Sequence, residues 1–186
     1  MRFASMRNLD ISNGEGVGVS LFVQGCDRHC FNCFNPDTWD FNGGKEWTEG
    51  TKNKFIKLID RPYINRISVL GGEPLAEQNL DEVLSLIKEI RISFPEKTIW
   101  LYTGFCWNDI MCSFAGLQAD CVVLDKKDIE ALEKRRKIIS NIDVLVDGEY
   151  IDEQKDLSLK FRGSKNQRVI DVKQSLAQNK IVLYCD

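Results

Sequence analysis

Several features that would narrow the function of this 186-residue chain are scarce or missing. No apolar run approaches the roughly 20 residues that a membrane-spanning helix needs, so none is predicted. Positive charge is not in excess: 25 lysines and arginines stand against 28 aspartates and glutamates, for a net charge of −3. The composition therefore gives no indication of a nucleic-acid-binding surface. Low-complexity tracts and internal repeats are also missing.

The start of the sequence shows no export signal, because residues 1–10 are polar and hold no apolar core of the secretory kind. The seven cysteines are an odd number, which argues against a framework of disulfides. We therefore expect reduced thiols and a cytoplasmic protein. A chain of this length, 43% hydrophobic and 28% charged, is expected to form a single domain over residues 1–186.

Three of the cysteines lie close together in a CxxxCxxC pattern, at Cys26, Cys30 and Cys33. Thiolates are soft ligands that suit iron–sulfur clusters and zinc. Three cysteines would leave one iron of a four-iron cluster without a protein ligand, and an open metal position is typical of sites that bind a substrate. The loop thus predicts a 4Fe–4S cluster that takes part in chemistry, with these cysteines as metal ligands and catalytic residues.

A zinc site made of the three cysteines and His29 is an alternative interpretation of the loop. It is less favoured because structural zinc sites usually combine two separated ligand clusters, and His29 stands beside Cys30. The remaining cysteines lack a compact ligand spacing, and we expect buried or incidental thiols at Cys106, Cys112, Cys121 and Cys185.

The hydrophobic pattern alternates between strands and helices along the chain. Helical spacing is clearest for the apolar residues Leu80, Val83, Leu84, Ile87 and Ile90. Further helices are expected over about residues 51–60 and, capped by Asp125, up to residue 139. Short apolar runs predict strands at residues 17–23, 66–70, 98–102, 121–124, 142–146, 169–172 and 181–184.

This alternation predicts an α/β fold with a mainly parallel sheet and right-handed crossovers. Ligands of such sheets bind at the carboxyl ends of the strands. Four segments follow predicted strand ends, namely the cysteine loop and residues 71–74, 103–104 and 147–148. Parallel topology would bring all four to one edge of the sheet.

The Gly-Gly-Glu-Pro segment has a chemical interpretation of its own. Gly71 and Gly72 allow the backbone to approach a ligand without an intervening Cβ, so that their amides and carbonyls could bind a carboxylate and an ammonium group. Glu73 adds an acceptor, and Pro74 stiffens the turn. A tight turn without a ligand is the alternative here, and Asp147 has a similar alternative as a loop-capping residue.

Taken together, these residues resemble the radical S-adenosylmethionine enzymes and, within them, the activating proteins of the anaerobic (class III) ribonucleoside-triphosphate reductase. The resemblance covers nearly the whole chain and is carried by residues 24–26, 33–40, 71–75, 146–150 and 161–168. It implies a compact partial (β/α) barrel in which residues 150–186 complete the sheet or dock a partner.

The resemblance also implies roles for individual residues. Each of the three loop cysteines would bind one iron, and the amino and carboxylate groups of S-adenosylmethionine would chelate the fourth. The methionine part would lie against Gly71, Gly72 and Glu73. The remaining cofactor contacts would come from Asn32, Cys33, Phe34, Thr103 and Asp147. Many of these enzymes carry an aromatic residue where this chain has Asn32, which is a departure from the pattern.

The implied reaction is reductive cleavage of S-adenosylmethionine, with an electron from a flavodoxin or ferredoxin-like donor, to generate a glycyl radical on the large subunit of the anaerobic reductase. A formate-lyase-type activase or a deazapurine synthase would share the chemistry but act on another target. A zinc-stabilised interaction module or an iron–sulfur sensor would not turn over S-adenosylmethionine. The basic segment over residues 160–173 is a candidate docking surface or a solvated edge.

Overall fold

The computed structural model describes residues 1–111 and 125–185. The strands in these residues are β1 Arg2–Asp10, β2 Gly18–Val23, β3 Lys45–Glu46, β4 Arg66–Gly71, β5 Thr98–Tyr102, β6 Val144–Asp147, β7 Arg168–Asp171 and β8 Leu183–Cys185. The helices are α1 Glu49–Ile59, α2 Leu80–Ser93, α3 Trp107–Met111, α4 Lys126–Ile139 and α5 Val172–Gln178. The described strands form one sheet in the order β3-β1-β2-β4-β5-β6-β7-β8, and the chain has an α/β fold as predicted.

The sheet is parallel only at its centre, where β2, β4, β5 and β6 run in the same direction. The flanking pairs are antiparallel, so the described strands make three parallel and four antiparallel pairings. The prediction of a mainly parallel sheet was therefore wrong outside the centre. One reason is the short connection between β1 and β2, because a parallel pairing needs a crossover of a dozen or more residues.

Most predicted elements are confirmed, with small changes at their ends. The strand over residues 98–102 is found as predicted, and α1 begins after Thr48, whose side chain accepts a hydrogen bond from the amide of Thr51 at 3.2 Å. Asp125 caps α4 as predicted, accepting from the Asp128 amide at 2.8 Å. The predicted strand over residues 121–124 lies outside the described residues, as do Cys112 and Cys121.

Four strands differ from the predictions. Strand β1 was missed because its sequence is polar and lacks a long apolar run. Strand β6 begins at Val144 rather than at residue 142, and β8 is shifted toward the C-terminus. Val172 belongs to α5 instead of β7, because Asp171 caps that helix by accepting from the Gln174 amide at 2.9 Å.

The main hydrophobic core lies between one face of the sheet and the helices. Alternate residues of the central strands point into it, among them Leu21 and Val69. The buried face of α2 includes Leu86, whereas the predicted Leu84 is only partly buried at its edge. None of the helices within residues 1–111 and 125–185 is long and apolar enough to cross a membrane.

The opposite face of the sheet carries a smaller core around Trp100 together with a buried ion pair. Arg66 is fully buried and donates to the main-chain oxygen of Asp10 at 2.6 Å, with the Asp10 carboxylate at 3.5 Å. Burial alone would raise the pKa of Asp10, but hydrogen bonds from Asn13, Ser12 and Ser20 hold it well below its ordinary value. These contacts fix the segment after β1 against the centre of the sheet.

We expect the substitution Arg66→Met to lower the free energy of unfolding by about 3 kcal/mol, because it leaves the buried Asp10 without its cationic partner. Urea denaturation followed by circular dichroism would measure the change. The exposed Lys126, which lies 3.9 Å from Glu130, provides the matched control, and Lys126→Met should have little effect. Equal stability of the Arg66→Met protein and the unmodified protein would contradict this assignment.

Candidate functional site

The cysteine loop begins where β2 ends and is folded back on the residues that follow it. Gly25 has a positive φ of 95°, and a Cβ there would lie 2.1 Å from the ring of Phe41, so the position requires glycine. The Gly25 amide donates to the Thr38 carbonyl at 2.8 Å, and the next amide donates to Trp39 at 3.0 Å. The exposed His29 also stacks on Trp39, with ring centroids 4.6 Å apart.

The three loop cysteines are all partly buried, and none forms a disulfide among the described residues. Burial raises the pKa of Cys26 and Cys30, and the neighbouring Glu149 carboxylate, 3.6 Å from the Cys30 Sγ, contributes to a pKa of about 11 there. The Cys33 Sγ accepts from the Asn35 amide at 3.4 Å.

No three His, Cys, Asp or Glu side chains within residues 1–111 and 125–185 already surround a point where a metal ion could sit. The donor set nevertheless suits an iron–sulfur cluster, because a single loop presents three cysteine thiols, while the exposed His29 of that loop stacks on Trp39. The residues that could hold a cluster are therefore Cys26, Cys30 and Cys33.

The Gly-Gly-Glu turn after β4 lies directly against the start of the cysteine loop. The Glu73 amide donates to the Gly25 carbonyl at 2.7 Å, and a Cβ on Gly72 would lie 2.5 Å from that same oxygen. Gly71 has a φ of 106°, which a side chain would also disfavour. The two glycines thus allow a backbone contact between the ends of neighbouring parallel strands.

The Glu73 carboxylate is 1% exposed and is held by three hydrogen bonds. It accepts from the Thr103 hydroxyl at 2.7 Å, the Gly104 amide at 2.8 Å and the Leu75 amide at 2.8 Å. Burial raises its pKa, and these hydrogen bonds act in the opposite direction. The predicted cofactor residues Glu73 and Thr103 are therefore in direct contact at the ends of β4 and β5.

Asp147 ends β6 at the same edge of the sheet, and its side chain is 1% exposed. Its carboxylate accepts from the Trp107 amide at 2.7 Å and from the Arg168 guanidinium at 2.9 and 2.5 Å. The Gly148 amide donates to the Phe105 carbonyl at 3.0 Å. The end of β6 therefore lies at the same edge of the sheet as the ends of β4 and β5. The Asp147 carboxylate is hydrogen-bonded to protein groups and is not exposed to solvent.

Asn32 and Phe34 connect the cysteine loop to the segment after β6. Asn32 has a φ of 55° and donates to the Asp152 carboxylate at 2.8 Å. The Phe34 ring lies 5.1 Å from that of Tyr150 and keeps 58% of its surface exposed. Both residues are thus next to the cysteines, with Phe34 presenting an accessible aromatic surface.

Sequence reasoning missed Arg28, which stands inside the cysteine loop. Its Nε lies 3.6 Å from a Glu73 oxygen and its Nη1 lies 3.9 Å from a Glu149 oxygen. The guanidinium carbon is 4.3 Å from the centre of the Phe105 ring. A Cβ on Gly104 would lie 2.2 Å from the Arg28 Cδ, so this glycine makes room for the side chain. The signal that could have identified it in the sequence is the position of a basic residue between two candidate cysteine ligands.

The basic segment over residues 160–173 is largely paired within the chain. Arg168 binds Asp147, Lys165 lies 3.6 Å from Asp156, and Lys173 lies 2.5 Å from Asp143. The docking role of this segment stays a prediction, and Arg168 is unsuitable for testing it because its charge supports the fold.

Comparison with known proteins gives a consistent result. A family model described as "4Fe-4S single cluster domain" matches residues 12–170. Proteins named anaerobic ribonucleoside-triphosphate reductase-activating protein from Salmonella typhi and Escherichia coli (strain K12) are each 33% identical over 171 residues, which cover 91% of this chain and 97% of the relative. The protein of that name from Enterobacteria phage T4 is 32% identical over 171 residues, or 91% and 93%. The chain therefore belongs to the family of anaerobic ribonucleoside-triphosphate reductase-activating proteins and carries a 4Fe–4S single cluster domain.

Proposed function

We propose that this protein is a radical S-adenosylmethionine activase that binds one 4Fe–4S cluster through Cys26, Cys30 and Cys33. It would cleave S-adenosylmethionine reductively and generate the glycyl radical on anaerobic ribonucleoside-triphosphate reductase. The observation that carries the proposal is the contact between the three-cysteine loop and the Gly71–Glu73 turn, in a chain whose relatives are named for activating that reductase. When bound, the cluster supplies the electron that splits the sulfonium group.

The chain's own residues would bind and orient S-adenosylmethionine. Main-chain groups of Gly71 and Gly72 would hold its methionine part, and Glu73 would accept from its ammonium group. Each carboxylate oxygen has two lone pairs, and one oxygen of Glu73 accepts a single protein hydrogen bond, from the Gly104 amide. That oxygen therefore retains acceptor capacity. The exposed ring of Phe34, with Asn32 and the Cys33 backbone, would contact the adenine.

Thr103 and Asp147 would act on the cofactor by holding the strand ends in place. Thr103 donates to Glu73, while Asp147 binds the Trp107 amide and Arg168. Both side chains are buried and hydrogen-bonded, which favours a rigid edge over a mobile one.

We also propose that the sheet curves into a compact partial barrel of the radical S-adenosylmethionine type, in one domain. Tyr184 in the terminal strand β8 hydrogen-bonds to Glu15 in the loop between β1 and β2, and its ring packs on Trp100 at 5.2 Å. The contact of Tyr184 with Glu15 joins the last strand of the order to the loop that follows its second strand, which supports such curvature. The partners would be the reductase large subunit and a flavodoxin or ferredoxin-like donor, in a reducing cytoplasm.

Reconstitution with iron and sulfide under anaerobic conditions, followed by reduction, should give a protein that converts S-adenosylmethionine to 5′-deoxyadenosine. Alanine at Cys26, Cys30 or Cys33 should abolish the product, because each would remove one thiolate ligand. Cys106→Ala is the matched control and should retain activity, since Cys106 is an exposed thiol outside the loop. Absence of product from a loaded and reduced cluster would support a sensor or a structural metal site.

The target is tested by incubating the reduced holoprotein with S-adenosylmethionine and the reductase large subunit. Electron paramagnetic resonance should show a glycyl radical whose amount rises with the activating protein, because hydrogen abstraction from a glycine leaves an unpaired electron on its Cα. A reductase variant with alanine at that glycine is the control and should give no signal. A radical on a formate-lyase-type enzyme but not on the reductase would contradict the proposed target.

Gly72→Ala should reduce both cluster retention and formation of 5′-deoxyadenosine, because its Cβ would meet the Gly25 carbonyl at 2.5 Å and push the cysteine loop away. Gly50→Ala, in α1, has no neighbour closer than 3.8 Å and should leave both unchanged. Iron content and product would be measured on the same samples. A fully active Gly72→Ala protein would show that the close contact between the two loops is not required.

A further inference from the structure

We propose that the guanidinium of Arg28 raises the reduction potential of the cluster held by Cys26, Cys30 and Cys33, by offsetting two carboxylates that flank these ligands. The inference rests on the proposed cluster. Neither the family match nor the names of the relatives assign a role to the charge of Arg28. Arg28 lies within the CxxxCxxC loop itself, between the first and second cysteines.

The first carboxylate belongs to Glu149 and contacts both Arg28 and a candidate ligand. One of its oxygens lies 3.6 Å from the Cys30 Sγ, and the other lies 3.9 Å from the Arg28 Nη1. A single carboxylate thus bridges the cation and the thiol. At this distance the negative charge of the carboxylate acts on the Cys30 sulfur.

The second carboxylate is that of Glu73, which is buried 3.6 Å from the Arg28 Nε. Its main-chain amide donates to the Gly25 carbonyl at 2.7 Å, so Glu73 lies directly against the residue that precedes Cys26. One carboxylate thus lies beside Cys30, the other belongs to a residue in contact with Gly25, and Arg28 lies against both carboxylates.

The surroundings hold Arg28 in this place. Its aliphatic stem fills the space that the missing Cβ of Gly104 leaves open, and its guanidinium stacks on Phe105. Arg135 lies over the same ring, with its guanidinium carbon 4.4 Å from the ring centre. The Arg28 Nε is buried and makes no hydrogen bond within the described residues; a Glu73 oxygen lies 3.6 Å from it, so the two interact as an ion pair.

The expected effect follows from the charge that reduction adds. Adding an electron makes the cluster more negative, and a nearby cation stabilises that state while nearby carboxylates destabilise it. Because Arg28 is only about a quarter exposed, its charge is screened less than that of a surface lysine. Without Arg28, the two carboxylates would act unopposed on the cluster, and reduction by the electron donor would become harder.

The test is a redox titration of the reconstituted holoprotein, monitored by electron paramagnetic resonance in the absence of S-adenosylmethionine. Arg28→Gln should lower the equilibrium constant for one-electron reduction roughly tenfold, which corresponds to about 59 mV. Arg28→Lys should stay close to the unmodified protein because it keeps the charge. Lys155→Gln removes an exposed cation near Phe34 and should give a much smaller shift.

A double variant separates the charge effect from a structural one. Arg28→Gln combined with Glu149→Gln removes one charge of each sign, so the potential should return toward that of the unmodified protein. If Arg28→Gln alone does not retain its cluster, the comparison of Glu149→Gln with the double variant measures the same contribution of Arg28. The potential should then fall when Arg28 is removed from the Glu149→Gln background.

An unchanged potential in a loaded Arg28→Gln protein, or in the double variant compared with Glu149→Gln, would overturn the inference. A fall of equal size in Lys155→Gln would also overturn it, because the effect would then not be specific to Arg28. Failure of the unmodified protein to bind any cluster, measured as iron and sulfide content, would instead refute the proposed function.

Discussion

The candidate site at the carboxyl ends of the central strands depends on one constraint, the burial of the Glu73 carboxylate. A carboxylate removed from water is costly unless hydrogen bonds and opposite charge compensate it. Here Thr103, Gly104 and Leu75 supply the donors, and Arg28 supplies the charge. Because these partners come from the turn after β4, the end of β5 and the cysteine loop, satisfying a single side chain fixes three segments relative to one another.

Glycine is the second requirement of this arrangement, because the segments meet through their backbones. The turn after β4 approaches the cysteine loop so closely that a Cβ on Gly72 would overlap the Gly25 carbonyl. Gly104 similarly makes room for the Arg28 side chain. Some glycines of the site are needed because they adopt a positive φ, and others because a side chain would not fit. Both properties allow charged groups to lie near the cysteines.

The two faces of the sheet differ in the residues that they bury. The face toward the helices is a continuous apolar core, which gives the central parallel strands a rigid support. The other face combines a small core around Trp100 with the buried pair of Asp10 and Arg66. Since the strand ends are anchored from both sides, the loops that carry the cysteines and Asp147 stand on a fixed frame. A site that binds an iron–sulfur cluster benefits from such a frame.

The sequence by itself determined the α/β class, the central strands, the helices α1, α2 and α4, and the cysteine loop with its Gly-Gly-Glu partner. Local patterns are enough to predict these elements, because periodicity, capping residues and ligand spacing depend on residues close together in the sequence. Only the tertiary structure decided that the flanks of the sheet are antiparallel and that β1 belongs to it. It also decided that Glu73 and Asp147 are engaged by distant groups and that Arg28 lies between Glu73 and Glu149. These contacts join residues far apart in the chain, and no local pattern specifies which of many charged side chains will meet.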